Sequence, residues 1–195
     1  MKRPNEEITF VLIKPDGVRR GLSGEIMRRI EQRGLKIVAL SMERPTRRKI
    51  DEHYPKDPVW IRRLGEKTLA TYEKYGVDPK KAMGTTDPAK IGKSVREWLV
   101  TYMTSAPLVK MVVKGVHAVD MVRKLTGNTM PYLAEMGTVR GDFSVDSPVL
   151  ANLEKRAIYN IMHASETARE ARHEIRHWFT SKEIYDYTRL EDLLP

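Results

Sequence analysis

The apolar positions of this chain fall into short β-branched runs separated by stripes of helical period. Ile8 to Ile13 is apolar except for Thr9, the pattern of a strand buried on both faces. Lys14-Pro15-Asp16-Gly17 is expected to end it in a turn, because Pro15 has no N–H to give a ladder and Asp-Gly turns readily. Gly21 to Gly24 reads as a loop with Ser23 a candidate helix cap. Glu25 to Arg33 follows as a helix with Ile26, Met27 and Ile30 inward, and Gly34 stands just past its end. Leu35 to Met42 is a second strand. Thr46 can cap a short helix reaching about Tyr54. Pro55 to Lys93 shows no sustained period and reads as an insertion with some helix.

Ser94-x-x-Glu97 has the form of a capping box. After it Val95, Trp98, Leu99, Tyr102 and Met103 make the stripe of an amphipathic helix. Leu108 to Val113 is a third strand, and Ala118 to Leu125 a helix with Gly127 beyond it. Asn128 to Asp142 reads as a long loop and Ala157 to Met162 as a fourth strand. Glu166 to Phe179 is a helix, and the tail from Thr180 to Pro195 is mixed. This order predicts an α+β fold, a ferredoxin-like βαββαβ sandwich with a four-stranded antiparallel sheet and a helical insertion at about 56–97. No linker divides it, so 1–195 reads as one domain.

Composition narrows the chemistry. The 195 residues, 41% hydrophobic, suffice for one core. The absence of cysteine excludes disulfides, thiolate metal sites and thiol nucleophiles, and fits a reducing compartment. Met1 to Glu7 is polar, without the apolar core of a signal peptide, and no run approaches the ~18 apolar residues of a membrane span. A soluble cytoplasmic protein is expected, with no membrane partner. The net charge of +9, from 35 basic and 26 acidic residues, suits an anionic substrate or a plain solvated surface, and alone selects no ligand.

His163 is the centre of the chemical reading. It stands in Asn160-Ile161-Met162-His163-Ala164-Ser165, where a strand gives way to a helix. Neutral imidazole, with an ordinary pKa of about 6.5, can attack phosphorus near neutral pH. It needs a partner that leaves the correct ring nitrogen free. Glu174 borders the apolar stripe Ala168, Ala171, Ile175 and Trp178, and a carboxylate there must find a donor. His163, or an Arg or His of the same helix, would serve. Lys14 at a strand end, Arg123, and Arg140 in Gly137-Thr138-Val139-Arg140-Gly141-Asp142 are candidate phosphate ligands, since phosphoryl transfer rests on positioning and charge. His173 and His177 could share a metal at i, i+4 spacing, but a solvated face fits better. The chain has no P-loop, protein-kinase or zinc-protease motif.

Three segments together carry a resemblance. Ile13-Lys14-Pro15-Asp16-Gly17-Val18 with Arg20-Gly21-Leu22-x-Gly24-Glu25-Ile26, Gly137 to Phe143, and Asn160-x-x-His163-Ala164-Ser165 resemble, in order, the signatures of nucleoside diphosphate kinases. The resemblance implies a ping-pong enzyme that passes the γ-phosphate of ATP to nucleoside diphosphates through a phosphorylated His163. It implies that Glu174 orients His163, that Ser165 supports Glu174, that Lys14 reaches the transferring phosphate and that Tyr54 stands beside the site. Arg123 and Thr129 would hold the distal phosphates, Arg140 the γ-phosphate and Asn160 the sugar hydroxyl. Mg2+ would be held by the nucleotide, with no protein metal site. A homo-oligomer is implied, a hexamer ahead of a tetramer or dimer. Nucleic acid is not an expected partner.

The chain departs from the family pattern at Glu166, where Asp is usual, and at insertions of about 56–97 and 147–157. These leave the base-stacking residue open among Val95, Trp60 and Trp98. Two rival readings are a weak relative that binds nucleic acid through its basic surface, and a small-ligand regulatory domain on the same scaffold.

Overall fold

Burial on both faces of the first apolar run sets the architecture. In a computed structural model, described over residues 6–189, that run is β1 (Glu6–Ile13), with Phe10 to Ile13 wholly buried. The opening Met1 to Asn5 and the last part of the tail, 190–195, lie outside the described residues. β1 is followed by α1 (Pro15–Arg19), α2 (Ser23–Gln32), β2 (Lys36–Glu43), α3 (Arg47–His53), α4 (Pro58–Lys74), α5 (Pro79–Met83) and α6 (Pro88–Met103). Then come β3 (Leu108–Val116), α7 (Ala118–Thr126), α8 (Val139–Phe143), α9 (Pro148–Leu153), β4 (Met162–Ala164) and α10 (Ala168–Trp178).

The described strands form one antiparallel sheet in the order β2-β3-β1-β4, the α+β arrangement expected. Alternate residues of β1 serve two cores, as the two-residue period requires. Phe10 and Leu12 pack with Ile50, Val100 and Trp178, while Val11 and Ile13 pack with Ile26, Val122 and Ile161.

Several local expectations are corrected. Lys14 to Gly17 is not a free turn: Pro15 opens α1, where its missing N–H is one the helix leaves unpaired anyway. Ser23 does not cap α2; Leu22 holds that position with no side-chain cap. Ser94 is inside α6, its hydroxyl donating to the Lys90 carbonyl, and Asp87 is the true cap. The stretch expected to be irregular holds the 17-residue α4. Its buried face is Gly65, Thr68 and Tyr72, so a hydrophobic period does not see it. The expected loop 128–142 contains α8, capped by Thr138.

The fourth strand is short and displaced from Ala157–Met162 to Met162–Ala164. The backbone before it is committed elsewhere: Tyr159 N–H donates to Asp146 Oδ2 at 2.7 Å and Ile161 N–H to Asp16 Oδ2 at 3.0 Å. Ile161 also has φ 69°, which no strand accommodates.

Candidate active site

That strained residue builds the turn from which the site is hung. Met162 N–H returns to the Asn160 carbonyl at 2.7 Å, so Asn160, Ile161 and Met162 form a three-residue turn with Ile161 at its centre. A β-branched residue at positive φ costs free energy and persists only when its surroundings over-determine it. Besides Asp16 below it, Lys14 N–H donates to the Ile161 carbonyl at 2.8 Å. Gly17 makes room, since a Cβ there would lie 2.8 Å from that carbonyl. Asp16 also accepts from the Tyr102 hydroxyl. The turn delivers His163 onto β4, opposite Leu12 of β1.

His163 Nε2 lies 2.7 Å from Glu174 Oε1, in contact but off the line of an ideal N–H···O bond. Glu174 is buried on α10, and its Oε2 accepts from the Ser165 hydroxyl at 2.6 Å. Burial works against the carboxylate, but His163 and then Ser165 outweigh it and hold the carboxyl below its usual range. Nδ1 of His163 has no partner among the described residues.

His53, absent from the expected set, packs against His163 with ring centroids 5.7 Å apart and planes at 89°. Trp178 Nε1–H donates to His53 Nδ1 at 3.3 Å, so His53 is a neutral imidazole. Burial first, and repulsion from His163 second, push its pKa down to about 3. Its neighbour Tyr54 was picked out by resemblance; the adjacent His offered no separate signal.

The structure brings the candidate cations together. Lys14 Nζ donates to Asn160 Oδ1 at 2.6 Å, and burial together with Arg140 lowers its pKa to about 7. Arg140 donates to the carbonyls of Asn160 (3.0 Å), Gly127 (2.9 Å) and Met162 (2.7 Å). Burial, and then Arg123, bring its pKa down to about 10. Asn160 Nδ2 donates to the Thr129 carbonyl at 3.0 Å. On α7, Arg123 Nη2 stands 3.7 Å from Glu166 Oε1. Lys14, Arg123, Thr129, Arg140, Asn160 and His163 line one polar cavity of about 370 Å³.

Tyr54 lines a second, more apolar cavity of about 300 Å³, which shares Lys14, Thr129, Asn160 and His163 with the first. Burial holds the Tyr54 hydroxyl well above its ordinary pKa. Of the three stacking candidates, Val95 lines this cavity. Trp60 instead stacks on Tyr54, centroids 6.3 Å apart. Ser165 and Glu174 stand behind His163 rather than in either cavity. His177 Nε2 is 3.0 Å from the Lys49 carbonyl while His173 is exposed, so the pair does not converge. Ligand atoms of His163, Glu170 and Glu174 lie within 4.8 Å of one another, but a cation there would occupy the imidazole. No described helix is long and apolar enough to cross a membrane.

A cleft of buried cations beside a carboxylate-braced imidazole, opening onto an apolar chamber, is the equipment of a nucleotide-handling phosphotransferase. The family model for nucleoside diphosphate kinase matches residues 7–58 and 88–184. A nucleoside diphosphate kinase from Pyrobaculum aerophilum is 48% identical over 180 residues, covering 92% of this chain and 98% of its own. One from Pyrococcus furiosus is 40% identical over 187 residues, covering 95% and 91%. The crystal structure of an NDP kinase from P. aerophilum superposes with a TM-score of 0.89 at 46% identity, over 93% of this chain and 100% of that one. One from Borrelia burgdorferi, a transition-state mimic with bound vanadate and ADP, superposes with a TM-score of 0.77 at 34% identity, over 96% and 95%. The chain belongs to the nucleoside diphosphate kinase family and is a phosphotransferase.

Proposed function

We propose that this chain moves the γ-phosphate of ATP, and of other nucleoside triphosphates, to nucleoside diphosphates by a ping-pong reaction through His163. The observation that carries this reading is the division of labour on one ring. Nε2 of His163 is held against Glu174, and Nδ1 is without a partner among the described residues beside Lys14, Arg123 and Arg140. The Nδ1 lone pair attacks the γ-phosphorus, the bond to the β,γ-bridging oxygen breaks, and the nucleoside diphosphate leaves with that oxygen. A β-phosphate oxygen of the second diphosphate then attacks the phosphorus and restores the imidazole. Glu174 compensates the positive charge of the phosphorylated ring, and Ser165 steadies Glu174.

Lys14 and Arg140 stabilise the charge spreading over the transferring oxygens. Arg123 and Thr129 take the distal phosphates, Asn160 the sugar hydroxyl, and Tyr54 flanks the transfer. Mg2+ fits the oxygen-rich triphosphate better than the protein, because it keeps its waters and favours phosphate oxygens. When bound it neutralises phosphate charge. A homo-oligomer, a hexamer ahead of a tetramer or dimer, is part of the reading. It is supported by the edge strand β2, where Leu40 and Met42 are 53% and 59% exposed. A single domain, a cytoplasmic setting and no nucleic-acid partner complete it, on the sequence alone.

Incubation with γ-labelled ATP tests the proposal. An acid-labile, base-stable label is expected on wild type, transferable to several nucleoside diphosphates and absent from His163→Ala. Wild type that stays unlabelled, or His163→Ala that labels equally, overturns it.

A further inference from the structure

The apolar cavity has a wall the family match does not include. The match omits 59–87, which holds all of α4 but its first residue. Leu64, Lys67, Thr68 and Thr71 of α4 line the cavity together with Val95 and Leu99 of α6. Both threonine hydroxyls donate back along their own helix, Thr68 to the Leu64 carbonyl at 3.0 Å and Thr71 to the Lys67 carbonyl at 2.9 Å. Neither therefore has a hydroxyl proton to offer a ligand.

Asn152 of α9 differs. The Tyr72 hydroxyl of α4 donates to its backbone carbonyl at 3.3 Å and ties α4 to α9. Asn152 lines the cavity, only 8% of the residue is exposed, and its carboxamide makes no hydrogen bond among the described residues. Both of its polar atoms keep contact with solvent, so a base entering the cavity can take over hydrogen bonds that water now supplies.

We propose that α4 and α9 form a base-reading wall, with Asn152 the residue that hydrogen-bonds the edge of the nucleobase. This rests on the transfer reading above, because it needs the phosphates to lie in the polar cavity. A carboxamide presents one donor beside one acceptor. Adenine presents the complementary pair, as do the other bases once the amide turns over. Asn152 therefore adds affinity for every base without selecting strongly among them. A carboxylate accepts only. It would pair with the two adjacent donors of guanine, N1–H and N2–H, and meet an acceptor on adenine.

The test compares ATP, GTP and ribose 5-triphosphate, which has no base, as phosphate donors to wild type, Asn152→Ala and Asn152→Asp. Asn152→Ala is expected to lose about tenfold in kcat/KM for both nucleotides, on the scale of one good base contact, and nothing for ribose 5-triphosphate. Asn152→Asp is expected to raise the GTP-to-ATP ratio about tenfold. If all three donors fall together, or the ratios stay at wild-type values in both variants, Asn152 does not read the base. Failure of the underlying transfer reading looks different: wild type would not label with any donor.

Discussion

Lys14 Nζ donates to Asn160 Oδ1 at 2.6 Å, joining the end of β1 to the strained turn before β4 at the boundary of the polar and apolar cavities. The amine is buried beside Arg140, and its pKa of about 7 leaves it mostly neutral at pH 8 before any ligand arrives. A phosphate favours the charged form and raises that pKa. Nucleotide binding at pH 8 is therefore expected to take up close to one proton. Affinity should weaken as pH rises above 7, by up to tenfold per unit until the bound-state pKa is reached. Calorimetry in buffers of different ionisation enthalpy measures the uptake. Lys14→Gln should abolish it, and a buffer-independent enthalpy for wild type would refute it.

Glu174 and Ser165 stand one behind the other next to His163, at 2.7 Å and 2.6 Å. Glu174→Gln keeps shape but loses the charge facing the ring, and should slow phosphorylation about 10–100-fold, the scale for losing a group that orients an imidazole. Ser165→Ala removes the 2.6 Å bond to Glu174 and the longer contacts of the hydroxyl with the Phe10 backbone, at 3.4 and 3.5 Å, and should cost less, about tenfold. Rapid-quench measurement of the labelling step ranks the two. A larger loss for Ser165→Ala than for Glu174→Gln would reverse the proposed order.

Gly17 is a site where activity should suffer more than stability. A Cβ there meets the Ile161 carbonyl at 2.8 Å and Ile13 Cγ2 at 2.9 Å. Gly17→Ala must push the turn that carries Asn160 and His163. Overpacking of this kind costs about 1–3 kcal/mol, whereas a misplacement of about 1 Å at a reacting group can cost about 100-fold in rate. Thermal unfolding and kcat on the same preparation separate the effects. Unchanged kcat with a lowered Tm would count against the coupling.

Gly65 of α4 and Gly92 of α6 let two helices cross in backbone contact. A Cβ at Gly65 would stand 1.9 Å from the Pro88 carbonyl oxygen, and one at Gly92 1.8 Å from that of Ile61. Backbone cannot swing aside as a side chain can, so Gly92→Ala should destabilise by about 3 kcal/mol or more. Because α4 walls the base cavity, the variant should also raise KM for nucleotides while His163 still labels with ribose 5-triphosphate. Denaturant unfolding at wild-type midpoint would contradict this.

The misread helices explain what was legible. Asp57-Pro58, Asp78-Pro79, Asp87-Pro88 and Ser147-Pro148 each open a helix, the Asp or Ser side chain capping and the proline in the first turn. Three of these pairs fall in the stretch expected to be irregular and mark the starts of its helices. The capping signal is present in the sequence, but the buried face of α4, Gly65, Thr68 and Tyr72, shows no apolar period. The capping box at Ser94 failed for the opposite reason: a local pattern was satisfied inside a helix that had begun at Pro88.

Local sequence determined the strand that is buried on both faces and the helix stripes, which depend on residue type and near spacing. It made His163, Lys14, Arg140 and Glu174 candidates, and the resemblance to the nucleoside diphosphate kinase signatures singled them out. The tertiary structure alone decided that Ile161 adopts positive φ, that Asp16 and Gly17 hold it there, that His53 is buried against His163, and that α4 and α9 wall a cavity beside the phosphate cleft. Each of these is a contact between residues far apart in the chain. Its free energy comes from burial and from hydrogen bonds completed across elements, which no local pattern encodes.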